Sequence, residues 1–132
     1  MPSYSKKSKA ILATCDERLQ RVFNEVVKHF DCTITCGHRT KEEQDALYYA
    51  TPRRTQVKWP NGKHNTKPSQ AIDAVPCPVD WDDRERFTYF AGFVVATALS
   101  MGIRLRWGGD WDGDTELDDN KFDDLPHFEL DD

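Results

Sequence analysis

Lys63-His64-Asn65-Thr66-Lys67-Pro68-Ser69-Gln70-Ala71-Ile72-Asp73-Ala74-Val75-Pro76 is the stretch on which the reading of the fold turns. Its second half, Ala71 to Val75, is an apolar run of strand length stopped by Pro76 and Pro78, with a carboxylate at its centre. An ionised side chain inside an apolar strand is costly unless it is paired or bound to a cation. The first half belongs to a polar segment, 51–69, that contains Pro52, Pro60, Gly62 and Pro68 and reads as a long loop. Loops of that length inside a compact domain are uncommon and tend to carry function.

Upstream, Thr14-x-x-Glu17 forms a capping-box pattern ahead of Leu19, Val22, Phe23, Val26, Val27 and Phe30, which recur at helical spacing. Cys32 to Cys36 reads as a short strand ended by Gly37, and Thr40-x-x-Glu43 opens a helix expected to run to about Ala50. Downstream, Asp82-x-x-Glu85 is capping-like, and Phe87, Phe90, Ala91, Val94, Val95 and Ala98 predict a buried helix ending near Gly102. A strand over Ile103 to Trp107, an acidic loop over 108–125 and a last strand from His127 to Leu130 complete the pattern. The strands are short and two connections are long. That favours an α+β domain, with helices packed on a small, mainly antiparallel sheet, over a doubly wound fold.

The chain has 132 residues, 38% of them apolar, enough for one core, so residues 1–132 are expected to form a single domain. Net charge is −5, unevenly spread: residues 110–132 hold eleven acidic groups against Lys121, and residues 1–109 are net basic. A basic body with an acidic C-terminal segment is a poor profile for a duplex nucleic-acid binder. It would suit a polyanionic cell-wall surface, or simply a solvated exterior. Cys15, Cys32, Cys36 and Cys77 form no Cys-x-x-Cys pair and are expected to be buried free thiols. The N-terminal residues lack the apolar run of a signal peptide, and no segment has the length of a membrane span. The expectation is a monomer made in the host cytoplasm, with no membrane insertion, whose action outside depends on release by another agent.

Histidine and carboxylate carry the candidate chemistry. His29 falls near the end of the first helix, where a cation suits the helix dipole. His38 reads as an exposed loop residue. His64 in the long loop, Asp73 in the strand and His127 at the start of the last strand are borderline ligands that suit zinc. Three protein ligands with a fourth position for water is the catalytic pattern. By spacing alone such a scattered set is weak, because no fixed helical interval links its members.

The run from Lys63 to Pro76 resembles the zinc-binding signature of the D-Ala-D-Ala carboxypeptidase and L-alanyl-D-glutamate peptidase superfamily, which includes the vancomycin-resistance dipeptidases and many phage endolysins. Asp124-x-x-His127-Phe128-Glu129-Leu130 is similar to its second signature, Trp107-Gly108-Gly109-Asp110-Trp111 to the segment its phage members carry ahead of it, and Gly37-His38-Arg39-Thr40 with Gln44 to its upstream element. The resemblance implies a hedgehog/DD-peptidase-like fold and zinc held by His64, Asp73 and His127. It further implies Asp124 as the general base and Arg39 as the group that steadies the substrate carbonyl and the oxyanion. The gap of nine residues between His64 and Asp73 is longer than in many members and marks a longer-loop subgroup. The base is Asp where the carboxypeptidase branch often has Glu. Both the shorter acid and the Trp107 to Trp111 segment tilt the reading toward phage-type L-alanyl-D-glutamate endopeptidases. The implied substrate is the peptidoglycan stem peptide.

Plainer readings stand beside these. Arg39 could pair with Glu42 or Glu43, Ser69 could form an ST-turn, and Trp107 and Trp111 could belong to the core rather than wall a cleft. The alternating Asp110, Asp112 and Asp114 suggest a calcium loop, although an EF-hand needs Gly and Glu where Thr115 and Lys121 stand. The resemblance includes phage members with a regulatory calcium site, so Ca²⁺ ordering Asp124 and His127 is weighed against a solvated acidic loop. Rival functions are a D,D- or L,D-carboxypeptidase of the same superfamily and a non-catalytic zinc-bearing binding or virion module.

Overall fold

The structure is a computed structural model that describes residues 2–116 and 123–132. Asp118 and Lys121 of the acidic loop lie outside the described residues. In chain order the elements are α1 (Lys6–Leu12), α2 (Glu17–Val26), β1 (Cys32–Cys36), α3 (Lys41–Tyr48), a single 3₁₀ turn (Lys63–Asn65), β2 (Ala71–Pro76), α4 (Arg84–Ser100), β3 (Leu105–Gly108) and β4 (Asp124–Leu130). The strands form one sheet in the order β1-β2-β4-β3, and every neighbouring pair is antiparallel. The α+β class expected from the pattern is the one observed.

Strand alternation divides the sheet into a dry face and a polar one. On β4, Phe128 and Leu130 enter the core while His127 and Glu129 point the other way. Phe128 sits edge-on to Phe23 of α2 at 5.7 Å and to Phe90 of α4 at 6.0 Å, so the two helices cover that face. Leu19, Val22, Phe23 and Val26 supply the buried stripe of α2 at the spacing of one helical face. Ile72 and Ala74 of β2 join the same core, which leaves Asp73 between them on the opposite face.

Several boundaries differ from expectation. Residues 6–12 form α1, capped by Ser5, where no helix was anticipated. Thr14 therefore closes α1, its hydroxyl donating to the Ile11 carbonyl at 2.6 Å, and Asp16 caps α2 in its place. The helix α2 stops at Val26, so His29 lies beyond it, exposed and 3.5 Å from Glu25. Asp83, not Asp82, caps α4. Gly102 has φ +76 and the Ile103 amide still bonds back to Ala98, which delays β3 to Leu105. The capping box at Thr40 and Glu43 is present as expected. Among the described residues no helix is long and apolar enough to cross a membrane.

All four cysteines are free; Cys15 and Cys32 are buried, whereas Cys36 and Cys77 are only half-buried, a correction to the expected four buried thiols. Burial pushes the Cys15 and Cys32 thiols up from 9.0 to about 12. Between those values the unfolded chain holds fewer protons than the folded one, so stability declines as pH rises from 9 toward 12. By linkage each thiol contributes at most about 4 kcal/mol of that loss. The expected outcome is a melting temperature that falls steeply above pH 9, with a shallower slope in the Cys15→Ala/Cys32→Ala double variant. A melting temperature constant from pH 8 to 10.5 would contradict it.

Candidate active site

The polar face of the sheet gathers residues far apart in sequence. Asp73 on β2 is the register partner of His127 on β4, so strand pairing alone brings them side by side. His64 arrives from the 3₁₀ turn, tied down by the Arg39 amide donating to the His64 carbonyl at 2.7 Å and the Gln70 amide donating to Lys63 at 3.0 Å. The extra length between His64 and Asp73 is taken up by a loop pinned to the α1–α2 junction. The Ser69 amide donates to the Thr14 carbonyl and the Asp16 amide to Ser69.

Three ligating atoms then form a near-equilateral triangle. His64 Nε2 lies 3.2 Å from Asp73 Oδ1 and 3.2 Å from His127 Nδ1, and His127 Nδ1 lies 3.4 Å from Asp73 Oδ1. Tetrahedral zinc ligands at about 2.0–2.1 Å from the ion stand about 3.3 Å apart, so the donor set fits that ion. The remaining ring nitrogens are engaged. His64 Nδ1 is 2.7 Å from the Gly37 carbonyl, and His127 Nε2 is 2.8 Å from Glu129 Oε1. Donation at those positions leaves His64 Nε2 and His127 Nδ1 as the lone-pair atoms that converge on Asp73. Gly37 is required there, because a Cβ would stand 2.4 Å from Thr14 Oγ1.

A competing trio, Cys36, His64 and Asp73, also clusters closely enough to hold a metal. Cys36 Sγ is 3.8 Å from His64 Nδ1, the nitrogen already bonded to Gly37, and accepts from Arg39 Nη2 at 3.5 Å. The His64, Asp73 and His127 set has the better directed lone pairs.

Protons on the two imidazoles balance the buried carboxylate, and a divalent cation would displace them. Burial opposes charge on His64, but its hydrogen bonds with Asp73 and Cys36 outweigh burial and raise its pKa to about 10. Burial likewise opposes charge on His127, yet Asp73 and Glu129 raise it above the ordinary histidine value. Asp73 is pushed up by burial and held far below the usual carboxylate range by the two imidazoles. A buried anion that recruits positive charge from both neighbours is what a divalent cation would satisfy.

Asp124 begins β4, half-exposed, with Oδ2 4.0 Å from His127 Nδ1. Burial and then the Asp73 charge raise its pKa above 3.8. Its backbone is held against β3, where Gly108 is the register partner and a Cβ would overlap the Asp124 carbonyl at 2.0 Å. Arg39 donates to Gln44 Oε1 at 3.0 Å and stands 3.8 Å from Asp73 Oδ2, so it does not pair with Glu42 or Glu43. Gln44 is fully buried; it also bonds the Val57 carbonyl and accepts from Asn65, so one side chain ties Arg39, the 51–62 loop and the His64 turn together.

A cleft of about 460 Å³ is lined by Arg39, His64, Asp124 and His127, with Arg53, Arg54, Lys63 and Arg106 as further cations and Asp123 and Glu129 as further acids. Trp111 also lines it, its ring 5.3 Å from that of His127, whereas Trp107 is buried with its Nε1 donating to Leu125. A larger groove of about 870 Å³ between α4 and residues 104–115 contains no histidine. His38 stays outside the triangle, bonded to the Thr66 carbonyl at 3.0 Å. Ser69 makes an ST-turn, accepting from the Ala71 amide. Asp110, Asp112 and Asp114 do converge, and among the described residues Asp110 Oδ1 is buried with no hydrogen-bond partner.

Sequence reasoning assigned no role to Glu129 or Cys36. Glu129 was legible as His127-x-Glu129, since residues two apart on a strand share a face. Cys36 carried no such signal, because its place beside Asp73 depends on the pairing of β1 with β2.

Comparison with known proteins gives consistent results. The family model described as phage L-alanyl-D-glutamate peptidase matches residues 2–131. The L-alanyl-D-glutamate peptidase of Escherichia phage T5 is 31% identical over 121 residues, covering 88% of this chain and 86% of its own. The crystal structure of the Serratia marcescens L-Ala D-Glu endopeptidase ChiX superposes with a TM-score of 0.76 at 23% identity, over 98% of this chain and 91% of that one.

Proposed function

The chain belongs to the phage L-alanyl-D-glutamate peptidase family, and from that premise we propose that it is a zinc-dependent endolysin cutting the L-alanyl-D-glutamate bond of the peptidoglycan stem peptide. The observation that carries this reading is the triangle of His64 Nε2, Asp73 Oδ1 and His127 Nδ1, with separations of 3.2–3.4 Å beside a half-exposed carboxylate.

His64, Asp73 and His127 would hold the metal. Zinc, when bound, supplies a Lewis acid that makes water nucleophilic near neutral pH and polarises a carbonyl. The chain supplies the rest. Asp124 takes the proton from the attacking water at a carboxylate oxygen and returns it to the leaving amine of D-glutamate. Arg39, steered by Gln44, presents its guanidinium to the carbonyl oxygen as negative charge develops. Gly37 and Glu129 fix the two imidazole rings, and Arg106 and Lys63 in turn hold Glu129. Arg53 and Arg54 in the cleft lining suit a substrate that carries free carboxylates.

Mass spectrometry of purified muropeptides treated with zinc-loaded protein tests the reading. The expected products are an intact peptide tail beginning at D-glutamate and a muramoyl-L-alanine. Release of a single terminal D-alanine would favour a carboxypeptidase instead, and an absence of turnover would favour a binding module.

Calcium at Asp110, Asp112 and Asp114 belongs to the same proposal, supported by their convergence and the unpartnered Asp110 oxygen. Asp124 follows Asp114 by ten residues in the chain, and in this reading an ion there orders the base. With zinc fixed, the hydrolysis rate is expected to rise several-fold on calcium titration and to become indifferent to calcium in Asp112→Asn/Asp114→Asn. A rate flat in calcium for the parent removes this part.

A further inference from the structure

Outside the cleft, an unusual patch occupies the end of α3 and the loop after it. The Tyr48 and Tyr49 rings meet edge-on with centroids 5.0 Å apart. The Arg53 guanidinium lies 4.0 Å over Tyr48, Lys58 Nζ 5.8 Å from Tyr49, and Lys41 Nζ 5.9 Å from Trp59. Lys41 is also paired with Asp45 at 2.7 Å. Despite these neighbours Tyr49 remains 60% exposed, and Trp59 and Val57 are exposed too. Aromatic side chains gathered at the surface and flanked by donors mark a contact site rather than a solvated exterior. The patch continues into the cleft, because Arg53 and Val57 belong to both.

The proposed substrate says what must lie next to the cleft. L-alanine is the first residue of the stem and is joined directly to the lactyl group of the sugar. The lactyl acyl carbon therefore stands one residue, three bonds and less than about 3.8 Å, from the carbonyl that is attacked. A protein that cuts this bond in the intact wall meets the glycan at the rim of its cleft. Hexosamine rings have an apolar C–H face with a rim of hydroxyl and acetamido acceptors. Exposed aromatic faces match the first, and lysine and arginine donors match the second.

We infer that Tyr49 and Trp59, with the cations Lys41, Arg53 and Lys58 around them, form a platform that binds the glycan strand while the stem peptide enters the cleft. This rests on the peptidase reading for its substrate, yet of the platform residues only Arg53 also lines the cleft, and Tyr49 and Trp59 do not.

The test uses two probes with the full chain loaded with zinc. Peptide-free glycan strands, prepared from sacculi by stripping the stems with an amidase, report binding without being cut. A glycan-free stem peptide reports catalysis. Tyr49→Ala/Trp59→Ala is expected to lose roughly tenfold or more in glycan affinity, the scale of two lost aromatic contacts, and to keep kcat/KM on the stem peptide within twofold. Tyr49→Phe/Trp59→Phe restores the affinity. Unchanged glycan affinity in the alanine variant overturns the platform, as does a parent that binds no glycan. A parent that binds phosphatidylglycerol vesicles through these residues in place of glycan overturns it in favour of a membrane contact. If the parent binds glycan but never cuts the stem peptide, the peptidase reading fails while the platform stands.

Discussion

Asp124→Asn is expected to lower kcat on the stem peptide by roughly 10²–10⁴-fold, the range that a positioned proton-transfer group supplies. Asparagine keeps the volume and the hydrogen-bonding reach of the side chain but cannot accept the proton. Asp124 stands apart from the triangle, 4.0 Å from His127, and its side chain is 45% exposed, so zinc content and melting temperature should stay at parental values. KM should move little, because the loss lies in the transition state and not in substrate binding. Measuring kcat, KM and metal content on one preparation separates this from a folding defect. Activity within fivefold of the parent would show that another group moves the proton.

The second large effect concerns the metal. His127→Ala removes one corner of the triangle and frees Glu129, whose bond to His127 is 2.8 Å. Loss of a residue that only orients a ligand typically costs 10–100-fold in metal affinity. Loss of the ligand itself should therefore exceed roughly 100-fold, and hydrolysis should vanish at equimolar zinc. Glu129→Gln should fall between the parent and His127→Ala, since it keeps an acceptor for the imidazole but removes the charge that Lys63 and Arg106 share. Competition against a calibrated zinc chelator reads all three proteins on one scale. The half-buried thiol provides the control: Cys36→Ala should retain zinc. The reverse pattern, zinc kept by His127→Ala and lost by Cys36→Ala, would move the metal to the Cys36, His64 and Asp73 trio.

Residues with a local physical preference were legible in advance. The Thr40 and Glu43 capping box and the apolar face of α4 are set by neighbours within one or two turns, and both are present in the fold. His127 and Glu129 need only strand alternation to be read as one face, whereas Asp124, three residues before His127, lies beyond the register shift between Trp107 and Gly108 and breaks that alternation. Asp73 announced itself because a carboxylate in an apolar strand requires a partner. Boundaries failed where two local signals competed. Thr14 and Asp16 both resemble caps, and only the presence of α1 decides that Thr14 finishes one helix and Asp16 starts the next.

What the sequence by itself determined was the class of the domain, the family and the residue types that could hold a metal, because periodicity, capping and short motifs act over a few residues. The tertiary structure alone decided that Asp73 faces His127, that the nine-residue span still delivers His64 to within 3.2 Å of both, and that Cys36 stands at the site. Those facts follow from strand register and loop anchoring between segments up to 63 residues apart. No local preference specifies such distances, whereas a sheet with one buried face allows only one register for them.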